Sequence, residues 1–182
     1  DDIYRICVSG SHAKENPFQH YLDFLYELGE LSEDEQKLYA GIGREFIQTI
    51  ETTEMQKVYK MPILYSFYNH GNIRLAVTDE EVLESWKEFF DTGTNWKDFP
   101  NVNTYEDYKK VTDKQHLSKA KRMPIRFLKA SGKEFFVEKD GYALALRDEI
   151  EDVVGNMAFG EQMGDVLGYR SLEYYRRRYE KE

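Results

Sequence analysis

Nine lysines and arginines stand between positions 109 and 133 against one acid, Asp113, and they carry the plainest chemistry in the sequence. Clustered cations neutralise phosphate oxygens and release counterions, so such an island is an electrostatic footprint for nucleic acid whose grip falls with salt. The expected nucleic-acid-binding residues are Lys119, Arg122, Arg126, Lys129, Lys133 and Lys139. Arg126 and Lys129 are three apart, hence on one helical face, and Lys133 and Lys139 flank a hairpin as phosphate contacts. The competing expectation is a solvated basic face lying against an acidic partner or the acidic remainder of the protein. The whole chain carries −9; with +8 in the island the rest must carry −17, which argues against indiscriminate binding by the whole surface.

Other chemistry is thinly represented. Asp107-Tyr108-Lys109, with Glu106 beside it, has the form of half a metal-dependent nuclease site, but no companion acidic element stands upstream. His12, His20, His70 and His116 lack ligand spacing and read as surface or capping residues. Cys7 is the one cysteine, which excludes an internal disulfide and a cysteine zinc cluster, fits a cytoplasmic setting, and reads as a small buried hydrophobe. There is no Gly-x4-Gly-Lys-Ser/Thr loop and no His-Glu-x-x-His, and Gly41-x-Gly43 lacks the third glycine of a dinucleotide fingerprint. No catalytic residue, metal or cofactor is expected. No apolar run reaches membrane-spanning length, so no membrane partner is expected either. The 14 Tyr and 11 Phe fall largely at helical spacing and read as core rather than as base-stacking rings.

Two similar stretches, 57–91 and 119–154, position this chemistry. Lys57 to Ile63 lines up with Lys119 to Ile125 through a shared Met-Pro-Ile, and each run leads into a short helix closed by Gly71 or Gly132. Strand-like residues follow, Ile73 to Val77 and Tyr142 to Leu146, and then an acidic helix start at Thr78-Asp79-Glu80 or Arg147-Asp148-Glu149. Only the second copy keeps a charged helix; the first presents Leu64, Tyr65, Phe67 and Tyr68 and is expected in the core.

Capping signals set the remaining elements. Ile3 to Val8 reads as a strand, Asn16-Pro17 starts a helix, and Ser32 with Glu35 boxes the start of a second helix to Thr52. Thr78 with Glu81, Thr104, and Thr112 with Gln115 start three more, while Gly155, Gly160, Gly164 and Gly168 read as punctuation before a terminal helix with a basic face. Asp140-Gly141 marks a hairpin turn between Glu134–Val137 and Tyr142–Leu146. Helix 113–122, a break at Met123-Pro124, helix 124–131 and this hairpin follow the order of a winged helix, with Ile125, Phe127 and Leu128 inward. The fold expected is mainly α with small β-hairpin elements, an α+β arrangement with candidate duplicated winged-helix-like units.

The text from Lys60 to Ile73, the helix ending Trp86-Lys87-Glu88-Phe89-Phe90, and Pro124 to Leu128 followed by Phe135-Phe136 resemble a region outside the motor of bacterial DEAD/DEAH-box helicase-like proteins. That resemblance implies a noncatalytic accessory module of a nucleic-acid-remodelling protein. The motor's phosphate loop and its Asp-Glu-Ala-Asp or Asp-Glu-x-His box are not in this sequence, so no helicase residue carries over and no ATP hydrolysis is expected. The chain opens on Asp1 rather than Met, and 1–182 is read as a single domain from a larger protein. A protein-interaction or structural module is the second expectation and a metal-dependent nuclease the third.

Overall fold

The computed structural model describes residues 16–179; the expected strand at 3–8, with Cys7 and His12, lies outside them. Helix makes up 68% and strand 4%, so the fold is mainly α with one small sheet.

Polar side chains start the helices where the sequence predicts. Asn16 accepts from the Phe18 N–H, and Pro17 opens a 3-10 turn before α1 (Tyr21–Leu28), which Gly29 closes with φ 73°. Ser32 and Glu35 exchange hydrogen bonds in a capping box for α2 (Glu33–Tyr39). The one helix expected from 32 to 52 is two, because the chain turns at Ala40-Gly41 and resumes as α3 (Ile42–Thr52). Gly43 lets Leu38 pack tightly against α3: a β-carbon there would lie 2.1 Å from Leu38 Cδ1, so that buried side chain would have to shift.

In α4 (Lys60–Tyr68), Met61, Ile63, Leu64 and Phe67 are all buried, as expected of a helix apolar around most of its circumference. Asn69 and His70 adopt left-handed backbone and redirect the chain towards β1 (Ala76–Val77). Capping boxes then start α5 (Asp79–Asp91) at Thr78 and α7 (Asp113–Ala120) at Thr112, and Thr104 caps the short α6 (Tyr105–Lys109) between them.

The expected break at Met123-Pro124 is not there. Lys121–Ile125 form a π-helical turn and the helix continues as α8 (Arg126–Ser131), so the backbone is helical from Asp113 to Ser131. Proline lacks the N–H for an i→i−4 bond and its ring collides with the carbonyl four residues back; a π turn accommodates both. The turn between helices that a winged helix needs is therefore missing here. Phe127, expected inside, is 49% exposed, while Ile125 and Leu128 are buried.

Strands β2 (Phe136–Val137) and β3 (Leu144–Leu146) pair antiparallel with Phe136 opposite Leu146. Their connection, residues 138–143, is longer than the 138–141 turn expected between the strands. Tyr142 N–H donates to Lys139 O at 3.1 Å, and of Asp140-Gly141 only the glycine has positive φ, the pattern of a type II turn rather than I′. Strand β1 completes the sheet in the order β1-β3-β2, with Ala76 opposite Ala145. When Ile73–Val77 is aligned with Tyr142–Leu146, Ala76 thus faces its own counterpart. Both stretches run helix, strand, helix, the second with a hairpin added.

A 3-10 turn (Asp148–Ile150) and α9 (Glu151–Val154) lead to α10 (Met157–Tyr179), which runs unbroken through Gly160, Gly164 and Gly168. Two of these glycines admit a neighbour instead of ending the helix. A β-carbon at Gly164 would lie 2.6 Å from the Tyr68 hydroxyl, and one at Gly160 3.4 Å from the Gly71 carbonyl. Helix α10 packs on α2, α3 and α4, α4 on α5, and α5 on α7. The contiguous core joins a phenylalanine cluster, Phe46 with Phe135, Phe136 and Phe159, to a second group of Tyr59, Trp86, Phe90 and Phe99.

Candidate nucleic-acid interface

The basic island lies on the uninterrupted helical run from Asp113 to Ser131 and the segments at its ends. Buried Ala120, Ile125 and Leu128 fix one side of that run to the core, which turns its cations outward. Four of the nine are held by the chain's own acids: Lys109 by Glu106 (2.7 Å), Lys110 by Asp107 (3.3 Å), Lys121 by Asp79 (2.5 Å) and Lys129 by Glu138 (2.7 Å). Asp113, the acid within the island, pairs outward with Lys87 of α5 at 2.8 Å. Lys114, Lys119, Arg122, Arg126 and Lys133 form no ion pair among the described residues.

The six predicted contacts are therefore not equivalent. Arg122, Arg126 and Lys133 are exposed, and Lys119 is half-buried. Lys129 is half-buried and reaches across to the hairpin, where its ammonium holds the Glu138 carboxyl below the usual range. Lys139 is exposed and lies 5.7 Å from the Tyr142 ring centroid.

Lys119 and Arg122 share a groove of about 530 Å³ with Lys110 and Lys114, closed on its far side by Phe99–Val102. Its one lining carboxylate, Asp107, accepts from Thr104 Oγ1 at 2.7 Å and pairs with Lys110; these hydrogen bonds keep it below its ordinary value. Lys110 and Lys114 were not among the predicted contacts. The signal for Lys114 was its spacing from Ser118 and Arg122, each four residues from the next and so on one helical face; Lys110 precedes that helix, and the turn at Thr112 brings it to the groove.

A second cleft, of about 560 Å³, lies on the other side of the same run, between it and the residues around the end of α3. Met123 and Phe127 form one wall and Lys57 and Lys60 stand on the other, over a floor that includes Ile50 and Phe136. Lys60 donates to Thr53 Oγ1 at 2.9 Å and to Glu54 O at 2.8 Å, and partial burial lowers its ammonium from the usual value.

No protein family, curated protein or solved structure compared with the chain matches it.

The remaining ionisable groups hold the fold together. His116, expected at the surface or as a cap, is buried against Phe99 and Tyr108, and desolvation lowers its imidazole from the ordinary value. Arg170 of α10 is buried and donates to Glu51 O and to Thr53 O (2.6 Å). Arg178 pairs at 2.6 Å with the buried Asp98 carboxylate, whose main-chain oxygen accepts from the Tyr59 hydroxyl. The nuclease reading meets carboxylates already engaged, with Glu106 on Lys109 and Asp107 on Lys110. Among the described residues no group of three His, Cys, Asp or Glu side chains is placed to hold a metal ion, and no helix is long and apolar enough to cross a membrane.

Proposed function

We propose that this chain is a noncatalytic accessory module that grips the phosphate backbone of nucleic acid, within a cytoplasmic bacterial helicase-like protein of the kind its sequence resembles. One observation carries the reading: Lys114, Lys119 and Arg122 converge on a single groove whose one acid is already neutralised by Lys110. In a chain of net charge −9, cations left without acidic partners are poised to exchange counterions for phosphates. The helical run through Pro124 favours a rod laid along a backbone over a winged-helix recognition element entering a major groove.

Fluorescence anisotropy with labelled duplex and single-stranded DNA across a salt series tests this. Wild type is expected to bind with an affinity that falls steeply with salt, and Arg122→Ala/Arg126→Ala to weaken binding and flatten the salt slope. Lack of salt-sensitive binding at low ionic strength would overturn the proposal.

The pairing of Lys109, Lys110, Lys121 and Lys129 with the chain's own acids favours a second reading, a module docking on an acidic protein. Poly-glutamate competing as well as DNA at equal charge would support it over the first.

A further inference from the structure

We propose that the cleft between α3 and α8 receives an unstacked base of a single nucleic-acid strand, an inference that rests on the backbone-gripping function above. The floor of the cleft is apolar: Ile50, Leu64, Leu128 and Phe136 are all buried. Met123 and Phe127 rise above it, 37% and 49% exposed and four residues apart on one face of the helical run. An exposed aromatic ring over an apolar floor offers a stacking surface that any base can use. The volume of about 560 Å³ falls within the range of small-ligand pockets, about 300–1,000 Å³.

Charge around the cleft selects the occupant. Lys57 and Lys60 line one side together with Glu54; Lys57 lies 4.0 Å from the Asp98 carboxylate, and Lys60 donates to Thr53 Oγ1 and Glu54 O. On the helical run, Arg122 and Arg126 do not line the cleft themselves but each immediately precedes an apolar wall residue, Met123 or Phe127, so cation and stacking group alternate along the rod. Arg122 lines the groove on the opposite side of the helical run. An apolar trough flanked by cations complements a polyanion whose apolar parts project sideways, which describes a single strand with its bases turned out. A duplex keeps its bases stacked and could engage only the helical run and the groove beyond it. An apolar peptide or a second copy of the chain would leave Arg122 and Arg126, which form no ion pair among the described residues, uncompensated.

The test compares three labelled probes of equal phosphate number at low salt: a mixed-sequence single strand, the same strand made abasic, and a duplex. Wild type is expected to bind the ordinary single strand about tenfold more tightly than the abasic one, the yield of one good stacking contact. Phe127→Ala should bring that ratio close to one while leaving abasic affinity unchanged, and Phe127→Trp should preserve it. Equal affinity of wild type for ordinary and abasic strands overturns the base site and leaves backbone gripping intact. If no probe binds in a salt-dependent way, the backbone reading falls and the base site falls with it. The wild-type abasic comparison needs no variant, and Phe127 is half in solvent, so a folding defect cannot imitate the result.

Discussion

Arg170 of α10 closes the C-terminus of α3 by donating to the main-chain carbonyl of Glu51. The last carbonyls of a helix have no partner within it, and a cation placed there also meets the negative end of the helix dipole. Burial holds the Arg170 guanidinium below its usual value, and a second nitrogen reaches Thr53 O, so two carbonyls depend on one side chain. Arg170→Met keeps most of the apolar stem and removes both bonds. We expect a loss of about 3 kcal/mol in urea unfolding, the cost of stranding buried acceptors. A change below about 0.5 kcal/mol would mean that water solvates this helix end.

Glu51 makes stability depend on pH in an unusual direction. Desolvation pushes its carboxyl from 4.5 up to about 7, although it accepts a hydrogen bond from the Tyr21 N–H at 3.1 Å. A carboxyl with a raised folded-state pKa binds more protons folded than unfolded, so its contribution is complete below about 4.5 and is lost as pH rises through about 7. Glu51→Gln retains an acceptor for Tyr21 and removes the titration. The variant should match wild type at pH 5 and exceed it by about 1 to 3 kcal/mol at pH 8. His116 acts in the opposite sense, because its lowered imidazole pKa removes stability as pH falls below its unfolded value near 6.5. His116→Phe should therefore lessen the loss of stability on the acid side, and urea titrations at several pH values separate the two.

Two glycines of α10 should respond to alanine with opposite signs. At Gly164 the new methyl would press on the Tyr68 ring, and we expect a loss of about 1 to 3 kcal/mol. Tyr68→Phe removes the nearest clashing atom and should recover part of that loss in a double-mutant cycle. At Gly168 nothing lies within 4 Å of the added carbon, so helix propensity decides and Gly168→Ala should stabilise by about 0.5 to 1 kcal/mol. Thermal melts of the variants would show the contrast.

Ion pairing should sort the cations by their effect on salt dependence. Lys114→Ala or Arg122→Ala is expected to reduce the slope of log K against log salt by about 0.7 to 0.9, one phosphate each. Lys121→Ala should leave it nearly unchanged, since Asp79 already holds that ammonium. Glu138→Gln frees Lys129 and should steepen the slope. Identical effects at Lys114, Lys121 and Arg122 would show that the groove confers no selectivity.

The elements that could be read from the sequence were those whose cause is local. Ser32, Thr78, Thr104 and Thr112 each bond a backbone N–H three residues on, so their helices begin where predicted. The reading failed where a distant partner decides. Pro124 ends helices by its own chemistry, yet burial of Ile125 and Leu128 carries the chain onward through a π turn. Gly160 and Gly164 look like breaks until Gly71 and Tyr68 are seen lying against them. The candidate site divides in the same way. The basic run was visible, but which cations remain unpaired depends on Asp79 and Glu138, and the apolar cleft depends on residues near α3 that are far away in sequence.

The pairing of Ala76 with Ala145 also has a kinetic consequence. Residues so distant in sequence cannot meet until loop-closure entropy has been overcome, whereas the capped helices between them need only their neighbours. The sheet is then the last part of this chain to assemble, and its strands wait on helix docking to bring them together. Pulse-labelled hydrogen exchange during refolding would find the Leu146 amide, which bonds to Leu75 O, protected later than the amides of α5.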